Sequence, residues 1–313
     1  MIKASAHPTL ENFTFKGATD KRFLNGFYRY IRSKVITDLH IFIPPQQFQN
    51  TVEDIKKALY LFGIDLGYDL TPRILFLNRL VFAKKADLLK KDSTWKDDYR
   101  SVFSQDNFKI YISVDATGSF RTNDSLAHSI NHEFIHGISY KEIYISQNNK
   151  EWIVTKLGIR RKNRFFILNE AVTELTNIYV INKFWPRFKN TKSLVNFANR
   201  EISAPNAVFL VNAMFEELVK RSHLSYKDIL RKAQVDLLTG SQNTLSLISR
   251  FLGKDFIEVL SSSEESKKYD VIFNLNFLVE KSRRLKLVYF EKQLNNYKLS
   301  SDVKDILDPT RLL

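Results

Sequence analysis

The 313-residue chain contains no cysteine. Disulfides, thiolate nucleophiles and cysteine-ligated metals are thereby excluded, so a metal site would have to be built from histidine and carboxylates. No apolar run approaches the roughly 18 residues that cross a bilayer, so no membrane span is expected. The first residues, MIKASAHPTLENF, lack the apolar stretch of a secretory signal, and the missing export signal points to the cytoplasm. Acidic residues are in deficit, with 34 Asp and Glu against 48 Lys and Arg, a formal charge of +14. Such a balance invites nucleic acid or an acidic surface as partner. The basic residues are spread, with clusters at 84–91, 160–164 and 281–286, and no zinc finger or RNA-recognition signature accompanies them. A solvated basic surface is the favoured reading of them, ahead of nucleic-acid binding. Apolar residues, at 44%, are ample for a core in one or two domains.

The informative stretch is SLAHSINHEFIHGISY, residues 125–140, which contains His132-Glu133-Phe134-Ile135-His136. Two histidines four apart stand one above the other on a helix face. Both rings can then reach one zinc ion at about 2.0–2.1 Å. Glu133 is turned by roughly 100° from His132, which places it beside the metal, where it can take a proton from water. Asp124 or Ser125 is a suitable cap for this helix. Leu126, Ile130, Phe134 and Ile138 form an apolar stripe opposite His128, His132 and His136. One face is therefore expected on a core and the other on a cleft, with His128 at the cleft edge. A metal site of this kind needs a third protein ligand.

With 33 residues between His136 and Glu170, the downstream stretch Leu168-Asn169-Glu170-Ala171-Val172-Thr173-Glu174-Leu175 lies on a second helical pattern. With these two motifs the chain resembles the gluzincins, the thermolysin-like branch of the zinc metallopeptidases. The resemblance implies that His132, His136 and Glu170 are zinc ligands and that Glu133 is the general base. It further implies that Glu174 is an outer-shell carboxylate, standing where the best-known members have Asp, and that Asn169 precedes the ligand as it often does in that family. Another zincin branch requires Gly and His three and six residues past the second histidine, where Ser139 and Glu142 stand. The one-zinc aminopeptidases of the clan carry a Gly-x-Met-Glu-Asn stretch, but the only methionines here are Met1 and Met214. Gluzincins usually take an oxyanion donor, Tyr or His, from a C-terminal lobe. By chain order this implies His223 or Tyr226, and no motif chooses between them.

The rest of the chain is read for organisation. Residues 1–35 are read as an N-terminal extension, coil and then a short helix near 21–34. Residues 39–43 predict a strand ending at Pro44-Pro45, with His40 a strand residue. A helix is predicted over 47–62, with Asn50 or Thr51 as cap and Gly63 closing it. After Pro72, residues 74–77 predict a second strand, and 83–91 a short basic helix. Residues 109–114 alternate and predict a third strand with one face exposed, and 116–118 a turn. The pattern resembles a minimal zincin core over 36–185. Within its connection, 151–156 and 164–168 are read as a hairpin around 160–163, either shaping substrate access or forming a solvated turn.

The second metal helix is predicted over 169–184. Helices are predicted at 193–201, 206–221, 226–238, 244–260 and 271–297, with a loose tail at 308–311. The expected fold class is thus α+β. It comprises a zincin-like catalytic lobe, with a small mixed sheet, a backing helix and the HExxH helix, followed by a mainly helical C-terminal lobe over 186–313. The expected function is zinc-dependent hydrolysis of a peptide or protein substrate. The alternatives are a basic nucleic-acid-binding protein and a zincin-fold binding protein without turnover.

Overall fold

The computed structural model describes residues 13–17, 25–27, 29, 43, 46–77, 80–91, 101–105, 107–114, 123–146, 152–162, 164–185 and 205–262. The expected elements at 39–42, 116–118, 193–201, 271–297 and 308–311 lie outside these residues. The fold is mixed α and β, largely helical, with small mixed sheets. Among the described residues no helix is long and apolar enough to cross a membrane. Cα packing divides the chain into Met1–Thr155 and Lys156–Leu313, a division that falls inside the 36–185 stretch.

In the first unit, α1 (Gln46–Leu66) buries Val52, Ile55, Leu59 and Phe62 at helical spacing. Asn50 and Thr51 lie inside it rather than capping it. Gly63 does not close it either. The stop is Gly67, in the left-handed region at φ +83°. There Tyr68 N donates to Gly63 O (2.8 Å) and Gly67 N to Ile64 O (3.1 Å), the paired bonds of a Schellman end. Gly63 serves the returning chain instead. A Cβ there would lie 2.6 Å from Tyr68 O, so only glycine permits this reversal.

The strand expected at 74–77 is a helix, α2 (Thr71–Phe76). Asp69 Oδ1 accepts the Thr71 N–H (2.9 Å), and Pro72 falls in the first turn, where its fixed φ and missing donor cost nothing. The strand comes later, β2 (Leu80–Lys84), followed by the basic helix α3 (Lys85–Lys91). β2 pairs parallel with β4 (Ile110–Val114), and β3 (Ser101–Phe103) pairs antiparallel on β4's other side. The sheet order is β2-β4-β3. The exposed face expected for β4 is absent. Ile110, Tyr111, Ile112 and Val114 are all buried. Tyr111 joins Val81, Ala83 and Leu88 of β2 and α3 on one side. α4 (Asn123–Ile138), the HExxH helix, packs against β3, β4, α1 and α2. The alternation of 109–114 therefore does not mark an exposed face, since Lys109 and Tyr111 on the alternate positions are buried too.

α4 begins at Asn123, so Asp124 and Ser125 sit within its first turn rather than capping it. Its stripe of Ile130, Phe134 and Ile138 is fully buried. Gly137 lets α2's flank close on it, since a Cβ there would meet Leu77 side-chain carbons at 2.5 Å. Two cations hold its C-terminal end. Arg73 Nη1 donates to Ile138 O (3.0 Å). Lys141 Nζ donates to His136 O (3.1 Å), Gly137 O (2.5 Å) and Ser139 O (2.8 Å). Positive groups at these carbonyls suit the negative end of the helix.

Lys141 belongs to β5 (Lys141–Ile145), which pairs parallel with β1 (Phe13–Gly17) in register Phe13↔Lys141. The extension read as coil therefore supplies a strand. Residues 25–27 and 29 are helical, as expected near there, and Ile43, 89% exposed, is in neither helix nor strand. Phe13, Phe27, Phe108 and Trp152 meet edge-on or stacked at 5.1–6.1 Å. Burial, and secondarily the charge of Arg73, push Lys141 well below the ordinary lysine pKa. Its three carbonyl partners oppose that shift, because an ammonium has three N–H donors and a neutral amine only two. Replacement Lys141→Met should therefore destabilise the fold by about 3 kcal/mol or more, from orphaned buried carbonyls. Thermal and denaturant melts of the two proteins measure it.

β6 (Trp152–Leu157) lies next in the sheet, whose order is β1-β5-β6-β7, and the division between units falls within β6. In the second unit its last residues pair antiparallel with β7 (Arg160–Arg161), Leu157↔Arg160 and Lys156↔Arg161. The hairpin thus turns at Gly158-Ile159, not around 160–163. Gly158 has φ +57°, and it occupies the first loop position, where a primed hairpin turn demands glycine. Residues 166–168, expected as the return strand, open helix α5 (Phe166–Phe184).

α5 is buried nearly all round, with only Glu170 half-buried between Ile167 and Ile181. It packs against α6 (Pro205–Ser222), α7 (Tyr226–Thr239) and α9 (Lys254–Ser262). α7 opens on a capping box between Ser225 and Asp228 and ends at left-handed Gly240. The buried Asp236 carboxylate accepts from the N–H groups of Asn243 (3.0 Å) and Thr244 (2.7 Å) and so opens α8 (Asn243–Phe251). The single helix expected over 244–260 is two, α8 and α9, broken at Leu252 and Gly253, the latter at φ +97°.

Candidate metal centre

The i,i+4 spacing on α4 brings His132 and His136 together as the helix geometry demands. Their ring centroids are 4.8 Å apart and their Nε2 atoms 3.1 Å. The rings are only 4% and 6% exposed. The side expected to face an open cleft is therefore largely covered. His128, one turn earlier, is buried at 1% rather than standing at a cleft edge. Glu170, near the start of α5, completes a group with the two histidines. Each of the three offers one ligand atom, and those atoms all lie within 4.8 Å of one another. Two imidazole nitrogens and a carboxylate oxygen so placed can hold a metal ion. Among the described residues, neither His128, Glu174 nor His223 belongs to this group.

Glu133 is half-buried, and its orientation is set from β3. Oε2 accepts the Phe103 N–H at 2.7 Å, and Oε1 lies 3.5 Å from the Ser101 hydroxyl. A main-chain donor thus fixes a carboxylate that sits next in sequence to His132. Ser101 and Phe103 carry no local signal for this role. They lie 32 and 30 residues upstream, and only pairing of β3 with β4 delivers them. Arg73 and Lys141, which hold the carbonyl end of the same helix, are invisible to motif reading for the same reason.

On α5, Glu174 is fully buried and its Oε2 accepts from Asn177 Nδ2 (3.3 Å). The acidic pair is therefore not an exposed helix face. Asn169 is also fully buried. Its Oδ1 accepts the N–H groups of Ile159 (3.1 Å) and Arg160 (3.4 Å), which ties the β6–β7 hairpin to the residue before Glu170. His223 is exposed, at φ +58°, in the connection between α6 and α7. Tyr226 opens α7, and its hydroxyl donates to Asn212 Oδ1 (2.7 Å) on α6 while its ring meets Phe215.

Compared with known proteins, the chain matches no family model, no curated protein and no solved structure at a significant level.

Proposed function

We propose that this chain is a zinc-dependent metallopeptidase of the gluzincin kind. The observation that carries the reading is the convergence of His132, His136 and Glu170. Two motifs, with 33 residues between His136 and Glu170, contribute to one donor set, and the second is where the gluzincin pattern assigns the third ligand. Zinc in particular is supported by the donor chemistry. Nitrogen and carboxylate ligands suit it, and two nitrogens at about 2.0–2.1 Å in a tetrahedral shell stand roughly 3.3 Å apart. The His132 and His136 Nε2 atoms are 3.1 Å apart. Bound there, zinc supplies a Lewis acid and lowers the pKa of water towards about 7.

The residues of the chain do the remainder. His132, His136 and Glu170 hold the ion, and Glu174 and Asn169 belong to the buried surroundings of that ligand helix. Glu133, oriented by the Phe103 N–H, accepts the proton of the attacking water and returns it to the leaving amine. His223 and Tyr226 are the proposed oxyanion donors by resemblance, and neither is preferred, since the Tyr226 hydroxyl donates to Asn212 and His223 is exposed. A zincin-fold binding protein without turnover is the second reading, favoured by the covered histidine side of α4.

Metal analysis of the purified chain decides the first step. About one zinc per chain is expected of such a site, and none after mild purification would reject the proposal. With zinc present, cleavage of a broad peptide library separates the two readings.

A further inference from the structure

The hairpin beside the Glu170 helix carries charge of one sign. From Trp152 to Asn169 there are five basic residues, Lys156, Arg160, Arg161, Lys162 and Arg164, and no acidic one. Arg160 is half-buried, whereas Lys162 and Arg164 are exposed. Among the described residues none of these three is paired with a carboxylate. Three like charges close in space repel one another, so a merely solvated turn has little reason to be held rigid.

This one is pinned by several bonds. Arg161 and Arg164 exchange two main-chain bonds, 3.0 and 2.8 Å, which closes a second reversal at the tip. Lys162 and Phe165 are left-handed, at φ +48° and +64°, conformations that are rare for side chains of this bulk and persist only where the surroundings impose them. Asn169 Oδ1 clamps the other end of the hairpin. The guanidiniums are placed as well. Arg160 lies over the Phe166 ring and Arg164 over the Phe165 ring, at 5.2 and 5.6 Å. Arg160 Nε donates to Lys162 O, and Arg164 Nη2 to Ser261 Oγ. Each guanidinium keeps the rest of its five N–H donors for a partner, in the planar fork that suits a carboxylate.

We infer that this tip, Arg160, Lys162 and Arg164, docks an acidic segment of the polypeptide substrate. The inference rests on the peptidase reading, since it is the ligand helix α5 to which the tip is tied. Nucleic acid is the weaker fit. Charge alone would attract a phosphate backbone as well, but single strands also stack their bases on open aromatic faces, and here Arg160 and Arg164 lie over the rings of Phe166 and Phe165.

The test uses the full chain and two peptides that differ only in a flank of Glu against a flank of Gln. Binding is read by fluorescence anisotropy in a Glu133→Gln background, which leaves the peptides intact, and turnover in the parent. The Glu-flanked peptide should bind roughly tenfold tighter at low salt, as two exposed charge pairs and one half-buried pair allow, and the gap should close as salt screens them. Joint replacement Arg160→Gln, Lys162→Gln and Arg164→Gln should abolish the preference while leaving zinc content and binding of the Gln-flanked peptide unchanged. A second variant, Lys162→Glu with Arg164→Glu, should turn the preference towards a Lys flank, a gain that misfolding cannot mimic. Equal binding of the two peptides to the parent, or a preference that survives the triple replacement, overturns the inference. Displacement of the Glu-flanked peptide by a single-stranded oligonucleotide far below that peptide's own Kd would assign the tip to nucleic acid and overturn it too. Preference without turnover of any peptide rejects the peptidase reading alone, and turnover without preference rejects the docking tip alone.

Discussion

Glu133→Gln is expected to keep the fold and the metal and to lose peptide hydrolysis by a factor on the order of 10²–10⁴, the usual contribution of a general base. The substitution suits this site for a specific reason. A glutamine carbonyl oxygen can still accept the Phe103 N–H that Glu133 Oε2 accepts now, and its amide can donate to the Ser101 hydroxyl near Oε1. The link between α4 and β3 is therefore retained, as are His132 and His136 on the same helix. Only the capacity to take a proton is removed. Zinc content, melting temperature and cleavage of a mixed peptide library are measured side by side. A variant that cleaves as fast as the parent would show that the motif does not perform hydrolysis, even with metal present.

Glu170→Ala should fail differently, losing metal and activity together. His132 and His136 sit on one helix with their Nε2 atoms 3.1 Å apart, and two nitrogens alone make a poor site. The loss in metal affinity should exceed the roughly 10–100-fold that removal of an outer-shell partner costs. Glu174→Ala is the internal comparison. It should fall within that 10–100-fold range, since Glu174 lies one turn further along α5 and is not part of the three-residue group. Isothermal titration of zinc into the chelated, refolded variants gives the order directly. Glu170→Ala protein that binds zinc as tightly as the parent would remove Glu170 from the ligand set.

These two experiments touch residues that could be chosen before any fold was known, and the reason is local geometry. Four residues on a helix return a side chain to the same face, so His132 and His136 need nothing beyond α4 to meet. The helix over 226–238 was legible too, and the structure adds its ends. A box of Ser225 and Asp228 opens α7, and Gly240 closes it. Where two local signals compete, the reading failed. Residues 74–77 are apolar enough for a strand, but Asp69 and Pro72 begin a helix just before them. Gly63 looked like a stop, and the stop was the glycine four residues on, because the chain folds back over Gly63. β1 and β5 were missed altogether. Each is five residues long, and parallel pairing joins segments that share no turn.

By itself, then, the amino-acid order determined the pair of histidines, the glutamate between them, and a second helix bearing Glu170 and Glu174. It also determined that any metal here is held without sulfur. Tertiary structure alone decided that His132, His136 and Glu170 offer ligand atoms within 4.8 Å of one another, because such a distance is no property of either motif by itself. It decided that Glu133 is aimed by a main-chain N–H from β3 and that Lys141 and Arg73 close the carbonyl end of α4. It also decided that the basic hairpin is clamped onto α5 through Asn169. Each of these joins residues far apart in sequence, and such contacts are set by how buried surfaces and backbone donors are matched across elements rather than by any period along the chain.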